Sequence, residues 1–265
     1  MLAISCCGPA AAETRVVLAS TTSTQNTGLF DVLIPAYYRW TKLHDVKIDV
    51  VAVGTGKAIE IAKRGDADML LVHDREKEDA FVSEGFGVGR REVMYNDFVV
   101  VGPPDDPAGV RKAASAAAAF KAMAVAGAVF VSRGDESDTH AREKMLWKKA
   151  GVDVKGIKDY LSVGQSMEGA LRIADEKGAY TLSDRATWLV LNGTLNSTAL
   201  LYSGDPALYN QYTAIAVNPA KFPHTHYREA LDFIDFITGP DGQMFIGAFK
   251  DKKGTMLFNP NASRK

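Results

Sequence analysis

Apolar and polar positions along the chain repeat with two periods, one of about two residues and one of about 3.6, and the two alternate. Val16-Val17-Leu18-Ala19 reads as a strand, and Ser20-Thr21-Thr22-Ser23-Thr24-Gln25-Asn26 as a hydroxyl-rich turn. Leu29, Phe30, Leu33, Ile34 and Tyr37 then fall on one face of a helix. Residues 46–53 form a second strand with Gly54-Thr55-Gly56 as its turn, and residues 57–64 a helix that Gly65 stops. Residues 68–72 form a third strand ending at His73-Asp74, with a charged helix beyond it through Glu84. Three βα units in succession predict a parallel sheet with right-handed crossovers.

Residues 95–104 read as a strand that runs into Pro103-Pro104, an exit from the first half of the molecule. Residues 108–126, rich in Ala, read as one helix of high intrinsic propensity. Val129-Phe130-Val131 is the next strand. It breaks at Ser132-Arg133-Gly134-Asp135 and resumes as a helix carrying Met145, Leu146 and Ala150, with Gly151 past its end. A short strand over 160–163, a helix from Ser166 to Lys177, a strand over 179–182 and a helix capped by Ser183-Asp184 complete a second βα series. Residues 212–217 alternate like residues 98–101 and read as the return crossing, after which helices over 227–237 and 241–249 pack on the first sheet. The expected fold is α/β: two doubly wound α/β domains joined by two crossing strands, with a cleft between them. Domain I spans 14–100 and 213–265, domain II spans 101–212, and residues 1–13 are a leader remnant. Such a pair can hinge shut on a ligand.

Ligands on sheets of this kind bind beyond the carboxyl ends of the strands. The turns there read STTST, GTG and HD. The first two offer only hydroxyl and backbone N–H donors, which suits an anion with no proton to give. Ser137 and Thr139 stand where the helix after Arg133 begins. A helix N-terminus, hydroxyls and a guanidinium in one place make an anion site. A plainer reading makes Ser137, Thr22 and Thr55 caps, with Arg133 paired to Asp135 on the surface. Asp135 would in any case brace Arg133. His73 either lines the cleft or is a half-buried, hydrogen-bonded side chain. His140 reads as packing or capping, and His224 and His226 as a loop pair without metal. Trp40, Trp147 and Trp188 read as core or domain-surface residues.

The 265 residues carry a net charge of −1, with 46% hydrophobic and 24% charged residues, enough apolar material for two cores. There is no basic field for nucleic acid or an anionic membrane. Both cysteines, Cys6 and Cys7, precede residue 10, so the body has neither a disulfide nor a cysteine metal site. The leader, with Ala10-Ala11-Ala12 before Glu13, looks like the end of a secretory signal peptide and predicts export, although it lacks a basic start. Lipid attachment at Cys6 stays open. No G-x-S-x-G elbow, phosphate-binding GK[ST] loop or H-E-x-x-H helix occurs, which argues against a Ser-dependent hydrolase or phosphoryl-transfer enzyme.

Together, STTSTQNTGLFDVLIP (20–35), VAVGTGKA (51–58), GDADMLLVHD (65–74), VMYNDFVVVGP (93–103) and FVSRGDESDTH (130–140) resemble the tungstate-binding proteins that serve bacterial ABC importers. These are periplasmic binding proteins of type II, related to molybdate and phosphate binders. The resemblance implies a bound tetrahedral oxyanion, tungstate or molybdate, and no cofactor. It also implies a membrane permease as partner, a periplasmic location and a monomer. The ligand donors would be Thr21, Thr22, Ser23, Thr55, Arg133, Ser137 and Thr139, with Gly54, Gly56, Asp135 and Asp138 behind them. The family usually has Gly where this chain has Asp138. A carboxylate there either repels the oxyanion and restricts the backbone or points to solvent. It also keeps a phosphate- or sulfate-binding receptor open, because it could accept the proton of phosphate.

Overall fold

The computed structural model describes residues 13–43 and 45–263. The leader with Cys6 and Cys7 lies outside them. The first half runs β1 (Thr14–Thr21), α1 (Thr22–Asn26), α2 (Leu29–Trp40), β2 (Val46–Val53), α3 (Thr55–Lys63), β3 (Met69–Val72) and α4 (Arg75–Ser83). β4 (Gly87–Gly102) leads into α5 (Ala116–Val125), β5 (Phe130–Ser132), α6 (Asp138–Lys149), β6 (Tyr160–Ser162), α7 (Met167–Lys177), β7 (Tyr180–Asp184), α8 (Arg185–Leu191) and β8 (Ala199–Tyr202). The chain ends with β9 (Tyr209–Val217), α9 (Tyr227–Thr238), α10 (Pro240–Ala248) and β10 (Asn259–Pro260).

The strand order is β2-β1-β3-β9-β4-β7-β5-β6, with β8 and β10 also on β4. β1 lies parallel between β2 and β3, and β5 parallel between β6 and β7. β4 joins the two halves: its first part pairs antiparallel with β9, and residues from Phe98 onward pair with β7. β9 starts beside Asp97 and Asn96, where β4 changes partner. The fold is therefore the expected two-part α/β architecture.

Side-chain alternation sorts each strand between two cores. In β1, Val16 and Leu18 face α2, α9 and α10, while Val17 and Ala19 face α3 and Phe81. In β4, Phe98 and Val100 face α5 and α6, while Val99 and Val101 face α7 and Trp188. Each half thus buries both faces of its sheet and leaves the strand ends to form a cleft.

Three expectations change. The helix over 108–126 is a 3₁₀ turn, Val110–Lys112, and then α5. Ser115 interrupts it by accepting from the Ala118 N–H, a local bond that competes with helix continuation. The hydroxyl turn is instead the end of β1 plus a one-turn helix, because the Thr21 hydroxyl caps the Thr24 N–H. β4 starts eight residues before the expected strand, with its register shifted between Val88 and Arg91.

Candidate functional site

Three βα junctions of the first half carry residues expected at the site. At the first, Thr21 Oγ1 lies 2.8 Å from Thr24 Oγ1 and 3.1 Å from Ser23 Oγ. All three residues are buried, whereas Thr22 is half-buried. At the second, Gly54 precedes Thr55, the first residue of α3. A Cβ on Gly54 or Gly56 would meet nothing within 4 Å, so these glycines leave the helix start bare. At the third, Asp74 caps α4 and holds Lys77 Nζ at 2.6 Å.

The facing junction of the second half is β5–α6. Gly134 has φ 61°, and a Cβ there would come within 2.0 Å of Ser162 Oγ, so any other residue would be strained in this turn. The turn buries Arg133, whose Nη2 donates to Asp135 Oδ2 at 2.5 Å and whose Nη1 lies 3.5 Å from Thr139 Oγ1. Asp135 Oδ1 also accepts from the Ser137 N–H, which shapes the loop. Among the described residues Arg133 Nε has no partner. Ser137 caps α6 by accepting from the His140 N–H. Arg133 is therefore not on the surface as the plainer reading had it, but 5% exposed.

The two sides touch through Asp138. Its Oδ2 accepts from the Thr55 hydroxyl and lies 3.2 Å from His73 Nε2; its Oδ1 is 3.8 Å from Lys77 Nζ and otherwise unpartnered. Asp138 thus does not point to solvent: as the first residue of α6 its side chain projects into the start of α3. Its backbone is ordinary helix, without the strain expected there. Burial pushes its carboxyl above the usual carboxylate range, although His73, Thr55 and Lys77 pull the other way. Asp74 shows the opposite balance, since burial raises it but the Lys77 bonds outweigh this and hold it low. A pocket of about 240 Å³ opens beside Asp138, walled by Asp74, Phe98 and Arg142.

His73 combines both of its expected roles. It is buried and bonded to Asn210, yet it lines this pocket. Asn210, Asn96 and Tyr212, which tie His73 to β9 and β4, were not singled out from sequence; their one signal is a polar side chain inside an apolar strand. His140 accepts from the Glu136 N–H, and His224 and His226 contact Gly65 and Asp68. Among the described residues no group of three His, Cys, Asp or Glu is placed to hold a metal. No helix there is long and apolar enough to cross a membrane.

The model of a PBP superfamily domain matches residues 8–241. A crystal structure of the tungstate ABC transporter from Geobacter sulfurreducens is 49% identical; the match covers 89% of this chain and 98% of that one, with a TM-score of 0.80. The tungstate-binding protein TupA from Desulfovibrio alaskensis is 43% identical over 94% of this chain and 100% of that one, with a TM-score of 0.83. The tungstate-binding protein TupA of Peptoclostridium acidaminophilum is 40% identical, over 96% of this chain and 88% of its own length. The chain belongs to the PBP superfamily and, within it, to the family of these tungstate-binding proteins.

Proposed function

We propose that this protein is the exported, monomeric receptor of an ABC importer, taking up tungstate, and molybdate beside it, without catalysing a reaction. The donors are Thr21, Thr22, Ser23, Thr55, Arg133, Ser137 and Thr139, which line a cleft between domains divided near residues 100 and 212. The observation that carries this reading is Arg133: a buried guanidinium with an unpartnered Nε in the turn leading to α6, beside the hydroxyl of Thr139. The tungstate-binding relatives supply the choice of anion. Phosphate is the second reading, because Asp138 could accept its proton. Calorimetric titration of the dialysed protein with tungstate, molybdate, phosphate and sulfate decides between them. Tight tungstate binding with little heat from phosphate is the expected result; tight phosphate binding moves the substrate, and silence with all four removes the reading.

A further inference from the structure

The Thr55–Asp138 contact creates a conflict for an incoming anion. The Thr55 hydroxyl has one proton and gives it to Asp138. An oxyanion that uses this hydroxyl must take it from the carboxylate. Asp138 is then left buried, with no hydrogen bond at Oδ1, which has only Lys77 Nζ at 3.8 Å, and with Oδ2 facing His73. An ionised carboxylate beside a dianion is penalised twice, by lost solvation and by like charge.

His73 shows where relief comes from. Asn210 Nδ2 donates to Asn96 Oδ1 at 2.8 Å and to the Tyr212 hydroxyl at 3.1 Å, which leaves Asn210 Oδ1 for His73 Nδ1 at 2.9 Å. An amide oxygen only accepts, so these partners assign the His73 proton to Nδ1. Nε2 then turns a lone pair toward Asp138 Oδ2, 3.2 Å away. That contact is attractive only when a further proton lies on the imidazole or on the carboxyl. The burial that raises the Asp138 carboxyl acts in the same direction.

We propose that His73 and Asp138 form a proton-linked gate on the oxyanion site, which accepts a dianion in the form where the pair carries a proton. This rests on the receptor reading and adds a proton to it. The other charged groups around the pair do not change the sign. From α4, Lys77 is held by Asp74, whose own carboxylate also acts on Asp138, and Arg75 is paired with Asp79. Buried Glu78, bonded to Arg90, faces His73 with a negative charge that favours a proton on the pair. From α6, Arg142 donates to the Ala207 and Tyr209 carbonyls and keeps its charge, a fixed cation that favours the ionised Asp138 equally at every pH. Thr55 on α3 and Tyr212 on β9 face the pair as neutral groups. The pair's own proton therefore sets whether the gate is anionic. Affinity for the dianion falls as pH rises, about tenfold per pH unit where binding draws a full proton.

The test is calorimetric titration with tungstate over a series of pH values at which the protein stays folded, in buffers of different ionisation enthalpy, for wild type and Asp138→Asn. In the variant, Nδ2 can donate to His73 Nε2 while Oδ1 accepts from Thr55, a pair without the carboxylate's charge. Wild type should weaken with pH and take up protons. Asp138→Asn should bind at every pH at least as tightly as wild type does at the lowest, with no buffer-dependent heat. Tungstate binding by wild type that is independent of pH and buffer overturns the gate and leaves the receptor reading standing. A folded Asp138→Asn protein that binds more weakly throughout overturns it as well. No heat from either protein removes the receptor reading and the gate together.

Discussion

Two helix starts face each other across the cleft, those of α3 and α6, and they differ in what the chain places on them. α3 begins Gly54-Thr55-Gly56, with one hydroxyl, open backbone and no charge. α6 begins Ser137-Asp138-Thr139, behind an Arg133–Asp135 ion pair and with a carboxylate on its first residue. Both present the unpaired N–H groups and partial positive charge that attract anions. On the α3 side these are free for a ligand. On the α6 side the chain supplies an anion of its own, and that anion reaches over and takes the α3 hydroxyl. A carboxylate of the same chain at a helix N-terminus competes with an external anion for it.

The contrast extends behind each face, where the largest effect is expected. Within α6, Glu143 is buried and accepts from Trp147 Nε1 at 3.1 Å and the Tyr160 hydroxyl at 2.6 Å, and burial pushes its pKa up to about 7. Unfolded, it titrates near the ordinary Glu value, so between about 4.5 and 7 the folded state holds a proton the unfolded state has lost. Stability from this group is fully present below that window and is lost as pH rises through it, roughly 3 kcal/mol in all. Urea unfolding at both ends of the window should show the loss, and Glu143→Gln should flatten it. An unchanged slope in Glu143→Gln would show that the charged face is not pH-sensitive from behind.

Next in size is the ligand itself. Arg133→Ala removes a charged donor and should weaken tungstate binding by about 1.5–3 kcal/mol, tenfold or more. Thr21→Val, on the neutral side, removes one uncharged hydroxyl and should cost about 0.5–1.5 kcal/mol. Equal losses in a titration of the two variants would erase the distinction between the faces.

Much of this was legible in the chain, and what was not has physical causes. The βα series, the strand ends and the Arg133–Asp135 pair follow from local pattern, since Asp135 is two residues from Arg133 and a strand's alternation is local. β8 and β10 were not read, because both are short segments that exist only by pairing with β4. The same holds at the site. Asp138 could be singled out as unusual, but its partners Thr55 and His73 are 83 and 65 residues away in the chain. Only the docking of two halves sets the outcome between solvent and cleft. Asn210 and Asn96, 114 residues apart, join only because β9 pairs with β4.

Smaller effects concern how each face is built. Ser137→Ala deletes the α6 cap and should lower stability by about 1 kcal/mol, seen as a lower urea midpoint with unchanged slope. On the α3 start the equivalent position is Gly54, which makes no side-chain cap bond. Gly54→Ala should therefore change stability by only a few tenths of a kcal/mol.

The finest distinction lies within the first junction. Thr24 is fully buried and its hydroxyl is 2.8 Å from Thr21 Oγ1, so it works by holding Thr21 in place. Thr22, half-buried, takes no part in that cluster. Thr24→Val should cost about 1 kcal/mol of stability and weaken binding only through Thr21. Thr22→Ala should leave the unfolding midpoint within about 0.5 kcal/mol of wild type while reducing tungstate affinity several-fold, about 0.5–1.5 kcal/mol. Paired denaturation and titration of the two variants separate the roles. If Thr22→Ala binds tungstate as wild type does, Thr22 is only part of the helix and the neutral face recognises the anion through Thr21, Ser23 and Thr55 alone.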